Sequence, residues 1–180
     1  LFSERLWMAF ARNYGLTVRI GRYHNIFGPY GTWDGGKEKA PAAMCRKAAL
    51  ANENESIEVW GDGLQTRSFL YIDECIEATR RLMDSRCEEP LNIGSEEMVT
   101  INELARMAIT LSGKNLHIKN IEGAEFFAKY GFKCPVGVRG RNSDNTLFKK
   151  HIGWAVENNL EAGMRSTYPW IKEQTDFKQS

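Results

Sequence analysis

Cysteine is scarce in this chain, with four in 180 residues. None shares a CxxC spacing or lies in His-rich surroundings, which argues against a zinc site. Charge of one sign is lacking too. Lys plus Arg number 24 and Asp plus Glu 23, for a net charge of +1. The chain therefore has no global attraction to nucleic acid or an acidic membrane, and any anion must be held by a local cluster. No apolar run approaches the roughly 18 residues of a membrane-spanning helix. No signal-peptide pattern, internal repeat or low-complexity tract is found in these residues. Cys45 and Cys75 fall in helical patterns, where a free thiol behaves as a small apolar side chain. The expectation is a cytoplasmic setting with reduced thiols, and no metal.

What is present suits a globular protein. Hydrophobic residues make up 42% and charged residues 26%, enough apolar material for a core in one domain, or in one plus part of another. Residues 1–13 read as an amphipathic helix with Leu6, Trp7 and Phe10 among its apolar positions, but with no N-cap before it. That start suggests a piece of a longer chain. Residues 16–20 read as a strand and 23–36 as a Gly-rich, aromatic loop. A helix over 40–50 and a strand over 56–60 follow. Gly61-Asp62-Gly63 is a turn with two residues suited to positive φ. Residues 66–72 alternate as a strand, and Asp73 is expected to cap a helix to about residue 84. A short strand over 91–94 precedes a helix started by Thr100, with Glu103 completing a capping box. A strand over 116–121, an irregular or briefly helical stretch over 122–136, and two terminal helices over 145–150 and 159–174 complete the reading. Strands alternating with helices make the fold class α/β.

Four segments carry possible chemistry. The first, 22–29, ends a strand in a Gly-Pro turn, and doubly wound sheets bind ligands just outside the carboxyl ends of strands. There Asn25 has donors and acceptors suited to a sugar or diphosphate oxygen, but Asn25 and His24 could equally satisfy only the loop backbone. The second, 32–41, places Gly35-Gly36, Lys37 and Lys39 before a helix amino end that favours anions. A lysine there is a diphosphate counter-ion, an acid/base group, or a solvated surface residue. In the third, 60–69, Arg67 sits in a strand of apolar and hydroxyl residues and needs an anionic partner, either an Asp or a phosphate. In the fourth, Arg139 and Arg141 around Gly140 suit an anion clamp or an ordinary surface loop with Asp144 as an N-cap, and Arg46 and Lys47 could join the same positive cluster.

The string Gly61-Asp62-Gly63-Leu64-Gln65-Thr66-Arg67-Ser68-Phe69 followed by Tyr71-Ile72-Asp73-Glu74 resembles the substrate-domain signature of extended short-chain dehydrogenase/reductases that act on nucleotide sugars. Asn92-Ile93-Gly94-Ser95, the helix carrying Leu104-Ala105, and Gly153-Trp154 are similar to further landmarks of that family. Residues 22–41 and 139–145 look more narrowly like its GDP-hexose epimerases, while 52–55 and 122–135 depart, the latter like an insertion. The resemblance implies residues 1–23 as a remnant of an NAD-binding Rossmann domain and 24–180 as the substrate domain. Leu1 and Glu4 match the continuation of the family's Tyr-x-x-x-Lys helix, so the chain is expected to begin one residue after the catalytic Lys. The dinucleotide loop, the catalytic Tyr and Lys, and a catalytic Cys would then lie upstream. The resemblance also implies that Asn25, Glu38, Lys39, Ala40, Lys47, Gln65, Thr66, Arg67 and Arg141 bind the nucleotide sugar, with Lys39 as an acid/base group. It places His24 beside NAD, and implies a GDP-sugar substrate, no nucleic acid or membrane partner, and a homodimer. Other epimerases or dehydratases of the family, and a non-catalytic GDP-sugar-binding module, are the competing readings. On each of them the 180 residues alone turn nothing over.

Overall fold

The computed structural model describes residues 1–135, 137–157 and 159–179. Helix α1 (Phe2–Tyr14) opens the chain without a side-chain cap and ends on Gly15 in the left-handed conformation. It buries none of its residues, and Phe2, Trp7 and Tyr14 are each more than half exposed. The strand expected over 16–20 lies later, as β1 (Gly21–Tyr23). Its partner β6 (Leu91–Ile93) begins only after Pro90, pairs in parallel from Gly21↔Leu91 to Tyr23↔Ile93, and reaches back only to the Ile20 carbonyl. The expected loop over 23–36 contains β2 (Ile26–Phe27).

Helix α2 (Ala40–Leu50) and strand β3 (Ser56–Trp60) stand where the pattern puts them. The turn after β3 uses Gly61 at φ 74° and Gly63 at φ 69°, as that tripeptide requires. The strand expected over 66–72 is two, β4 (Thr66–Ser68) and β5 (Leu70–Tyr71). Alternation explains the break, because consecutive side chains of a strand face opposite ways. Phe69 enters one core and Leu70 another.

Helix α3 (Ile72–Asp84) starts a residue earlier than expected, with Tyr71 and not Asp73 at the N-cap. Asp73 and Glu74 instead lie in the first turn, where carboxylates still favour the helix dipole. A strand absent from the sequence reading, β7 (Met98–Thr100), leads into α4 (Ile101–Ser112), whose Thr100/Glu103 capping box is formed on both sides. Then come β8 (His117–Ile121), α5 (Gly123–Tyr130), β9 (Gly140–Arg141), α6 (Thr146–Ile152) and α7 (Leu160–Gln179).

Parallel pairs dominate, namely β1–β6, β2–β5, β3–β8 and β4–β9, with β4–β7 antiparallel. The larger core joins α2, α4 and α7 to β3, through Cys45, Ala48, Val59, Leu104, Ala108, Met164 and Ile171. The smaller one joins α3, β6 and α6, through Ala78, Leu82, Leu91, Ile93 and Phe148. Burial pushes the Cys45 thiol up to about 12, so at neutral pH it is an apolar filler, as the sequence suggests. All four cysteines are free. No helix among the described residues is long and apolar enough to cross a membrane, and none of these residues form a cluster of three metal-ligating side chains.

Candidate functional site

The entry to α2 is built by charge. Gly35 and Gly36 turn the chain at φ 90° and 81°, and the Glu38 carboxylate accepts from Gly36 N (2.7 Å) and from Arg46 Nη2 (2.8 Å). Burial alone would raise the Glu38 pKa, but these bonds and one from its own backbone N–H hold it below the usual carboxylate range. Arg46 also donates to the Trp33 carbonyl and lies 3.6 Å from Asp34. It is therefore neutralised and adds no free charge to a cationic cluster. Lys39 is the N-cap of α2, exposed, with no side-chain bond among the described residues. Lys47 donates to the Glu58 carbonyl at 2.6 Å and pins α2 to β3. Burial pulls its pKa below the usual lysine value, against the opposing pull of Glu58.

These elements enclose a cavity of about 450 Å³ whose lining includes Glu38, Ala40, Lys47 and Gln65, all expected site residues. Lys39 lies between two of them in sequence but outside the lining. Trp60 and Pro135 also line the cavity and were not singled out in the sequence. The legible signal for Trp60 was a bulky aromatic at an exposed strand end beside a Gly-rich turn.

A second group lies on β4, the middle strand between β7 and β9. The parallel register sets Arg67 opposite Arg141. Like charges placed directly opposite destabilise a sheet unless an anion lies between them. Of the two anionic partners expected for Arg67, an Asp or a phosphate, no carboxylate is found among the described residues, where its hydrogen bond goes from Nη1 to the Thr66 carbonyl at 2.7 Å. The nearby Asp62 is taken by Arg139, at 2.7 Å. Arg139 is thus engaged by Asp62, and the residue that stands opposite Arg141 is Arg67.

Asn25, at φ 46°, donates from Nδ2 to the Ser68 carbonyl at 3.0 Å and accepts from Leu70 N, so it staples β2 to the β4–β5 segment. Among the described residues, two buried side-chain polar atoms have no partner, His24 Nδ1 and Ser68 Oγ. Burial lowers the His24 pKa, and the Arg141 charge lowers it further. Orphaned buried polar atoms are costly and native folds hold few, and His24, whose charged form Arg141 disfavours, is therefore a candidate for a polar ligand.

The family model for the NAD dependent epimerase/dehydratase family matches residues 1–94. The chain belongs to that family. It is 51% identical to the GDP-mannose 3,5-epimerase of Arabidopsis thaliana over 176 residues, which are 98% of this chain and 43% of that protein. It is 50% identical, at the same coverage, to GDP-mannose 3,5-epimerase 1 of Oryza sativa subsp. japonica. The chain thus spans less than half the length of these curated relatives. Two solved structures share its fold. A UDP-glucose 4-epimerase of Thermotoga maritima with UDP-glucose superposes at TM-score 0.76 and 24% identity, covering 97% of this chain and 52% of that one. A GDP-6-OMe-4-keto-L-xylo-heptose reductase from C. jejuni gives 0.80 at 19% identity, covering 96% and 59%. The fold is the C-terminal portion of an extended short-chain dehydrogenase/reductase, about half of such a chain.

Proposed function

We propose that the chain is the substrate-binding half of a GDP-mannose 3,5-epimerase, converting GDP-D-mannose to GDP-L-galactose through a 4-keto sugar. The observation that carries this is the gathering of Glu38, Ala40, Lys47 and Gln65 around one cavity, in a chain half identical to such enzymes. Residues 1–23 are assigned to the edge of the cofactor domain and 24–180 to the substrate domain. Because β6 returns beside β1, this cut divides the chain and not the sheet.

The protons on C3 and C5 of a hexose become acidic only when C4 is a ketone. NAD, held mainly by the upstream half, supplies removal and return of the hydride at C4. The residues here fit a small share of that binding. His24 Nδ1 is buried and unpartnered at the end of β1, where a doubly wound sheet meets its ligand. Arg67 and Arg141 hold the diphosphate as a fork, with Gln65 and Thr66 beside them. Lys47 serves the nucleotide end and Asn25 the sugar-phosphate side. Glu38 and Ala40 line the hexose, and the exposed Lys39 between them in sequence carries one of the two proton transfers that inversion needs. The anchored diphosphate supplies remote binding energy that keeps the ring between acid and base. A homodimer and a cytoplasmic setting complete the proposal, and with them a place in making the sugar precursor of ascorbate.

The test is product analysis by NMR, with full-length protein, NAD and either GDP-mannose or UDP-sugars. Lys39→Ala should abolish epimerisation while GDP-mannose still binds, and full activity in that variant would remove Lys39 from the chemistry. Conversion of UDP-sugars in preference to GDP-mannose would favour another epimerase of the family.

A further inference from the structure

In α7 the buried residues Leu160, Met164, Tyr168, Ile171 and Thr175 recur every three or four positions, the spacing of one helix face. That face joins the larger core against α2. Lys178 comes three residues after Thr175, so it carries the same stripe one turn further, into the last turn of the helix, where a cation suits the dipole. There it meets the loop before α2, 144 residues earlier in the chain. Its Nζ donates to Asp34 Oδ2 at 2.5 Å and lies 5.7 Å from the centre of the Trp33 ring. Trp170 of the same helix touches Tyr30 of the same loop, with ring centres 5.6 Å apart.

Four charges here divide into two pairs. Lys178 takes Asp34, and Arg46 takes Glu38 at 2.8 Å, while the crossed contact from Arg46 to Asp34 is longer, at 3.6 Å. The bond from Lys178 is the first cause that holds the Asp34 carboxyl below its usual range, and the Arg46 charge comes behind it. Arg46 is thus left to fix Glu38, whose side chain is 7% exposed and lines the cavity. Without Lys178, Asp34 would be an unmatched carboxylate beside the same guanidinium, whose fork suits a carboxylate with two parallel bonds. Glu38 would then lose its cation to Asp34. Lys47 also feels the Glu38 charge, but its ammonium is committed to the Glu58 carbonyl.

We propose that Lys178 is a positioning residue for the proton-transfer loop: by occupying Asp34 it keeps Arg46 on Glu38, and so fixes Glu38 and the adjoining Lys39 for the hexose. The inference rests on the nucleotide-sugar reading above, in which Glu38 lines the sugar and Lys39 moves a proton. It brings the last helix of the chain to bear on the reacting end of the substrate, although that helix carries none of the expected site residues. Lys178 is 66% exposed, and ion pairs of that kind are weak, so its loss should lower turnover severalfold and not abolish it.

The experiment uses the full-length protein with NAD, following epimerisation of GDP-mannose by NMR and GDP binding by calorimetry. Lys178→Met keeps the apolar stem and removes the charge. Its kcat should fall about three- to fivefold while the Kd of GDP, which lacks the hexose, stays within about twofold. Adding Asp34→Asn removes the competing carboxylate, so the double variant should recover kcat to within about twofold of the unaltered protein. A tether that merely held the loop down would not be rescued in this way. Absence of rescue therefore overturns the proposal, as does a matching loss of GDP affinity, or a kcat in Lys178→Met within twofold of normal. A second measurement needs no turnover. Carbon-13 NMR should find the Glu38 carboxyl titrating higher in Lys178→Met and low again in the double variant, and an unchanged Glu38 in Lys178→Met overturns the proposal. If the unaltered protein does not epimerise GDP-mannose, the functional reading falls, and the Glu38 titration still decides whether Lys178 keeps Arg46 in place.

Discussion

Replacing Arg141 by Gln should move affinity and stability in opposite directions. In the unliganded protein Arg141 stands opposite Arg67 in the β4–β9 register. Two unit charges roughly 6 Å apart repel by about 0.7 kcal/mol in water-like surroundings. Arg141 is exposed, so that high-dielectric limit applies. Removing it should leave the unliganded protein as stable as before, or up to about 0.7 kcal/mol more so, a rise in Tm of about 1–3 °C in a domain of this size. The bound state loses instead. A charge-assisted hydrogen bond contributes about 1.5–3 kcal/mol, and exposure argues for the lower end of that range. One or two such bonds to a diphosphate are then worth a 10- to 100-fold rise in the Kd of GDP. Calorimetric binding at low and high salt, with thermal melts without ligand, reads both quantities, and the loss should shrink as salt rises. A Tm that falls several degrees with GDP affinity unchanged would refute the reasoning, since Arg141 would then have a structural partner and no ligand role.

The remaining predictions concern His24 and Gly94. In the folded protein the His24 imidazole should titrate below the ordinary value near 6.5, because burial and then Arg141 disfavour its charged form. The unfolded chain therefore takes up the proton first. The stability His24 contributes is complete above about pH 6.5 and is lost as pH falls through its lower folded value. NMR titration should find that value rising in Arg141→Gln, and an unchanged one would exclude the charge as a cause. At Gly94 an added Cβ would lie 2.5 Å from Ser143 Cβ and 2.6 Å from His24 Cβ. Gly94→Ala should cost about 1–3 kcal/mol, seen as a Tm lower by several degrees, since two backbone segments would have to separate. A melt within 1 °C of the parent would contradict the packing of β1 against the loop before α6.

Much of this architecture is written locally. The segment 40–50 has Pro41 in its first turn, where proline is welcome, and β3 ends on a Gly-Asp-Gly turn, so both boundaries are fixed by neighbouring residues. The Thr100/Glu103 box is equally local. The structure departs from the local pattern where distant partners decide. The first strand slid from 16–20 to 21–23 because β6, some 70 residues away, sets where pairing occurs. The break at Phe69 depends on two cores that no single segment reveals. Site residue types were legible one by one, including the lysines and Arg67. Their pairings were not. Arg139 belongs to Asp62 and Arg46 to Glu38, which leaves Arg67 and Arg141 facing each other, and only the β4–β9 register shows it.

The break at Phe69 has a mechanical consequence. The two sides of that residue are fastened by one residue, since Asn25 donates from its side-chain amide to the Ser68 carbonyl and accepts from Leu70 N with its backbone carbonyl. Tension applied at Arg67 by an anion thus reaches β2 and the Gly28 turn without passing through a flexible joint. The seam between the two cores works as a weld and not as a hinge. If ligand binding moves parts of this chain relative to one another, the axis of that movement should lie outside residues 25–28 and 66–71, and hydrogen exchange at Leu70 N should stay slow with and without GDP.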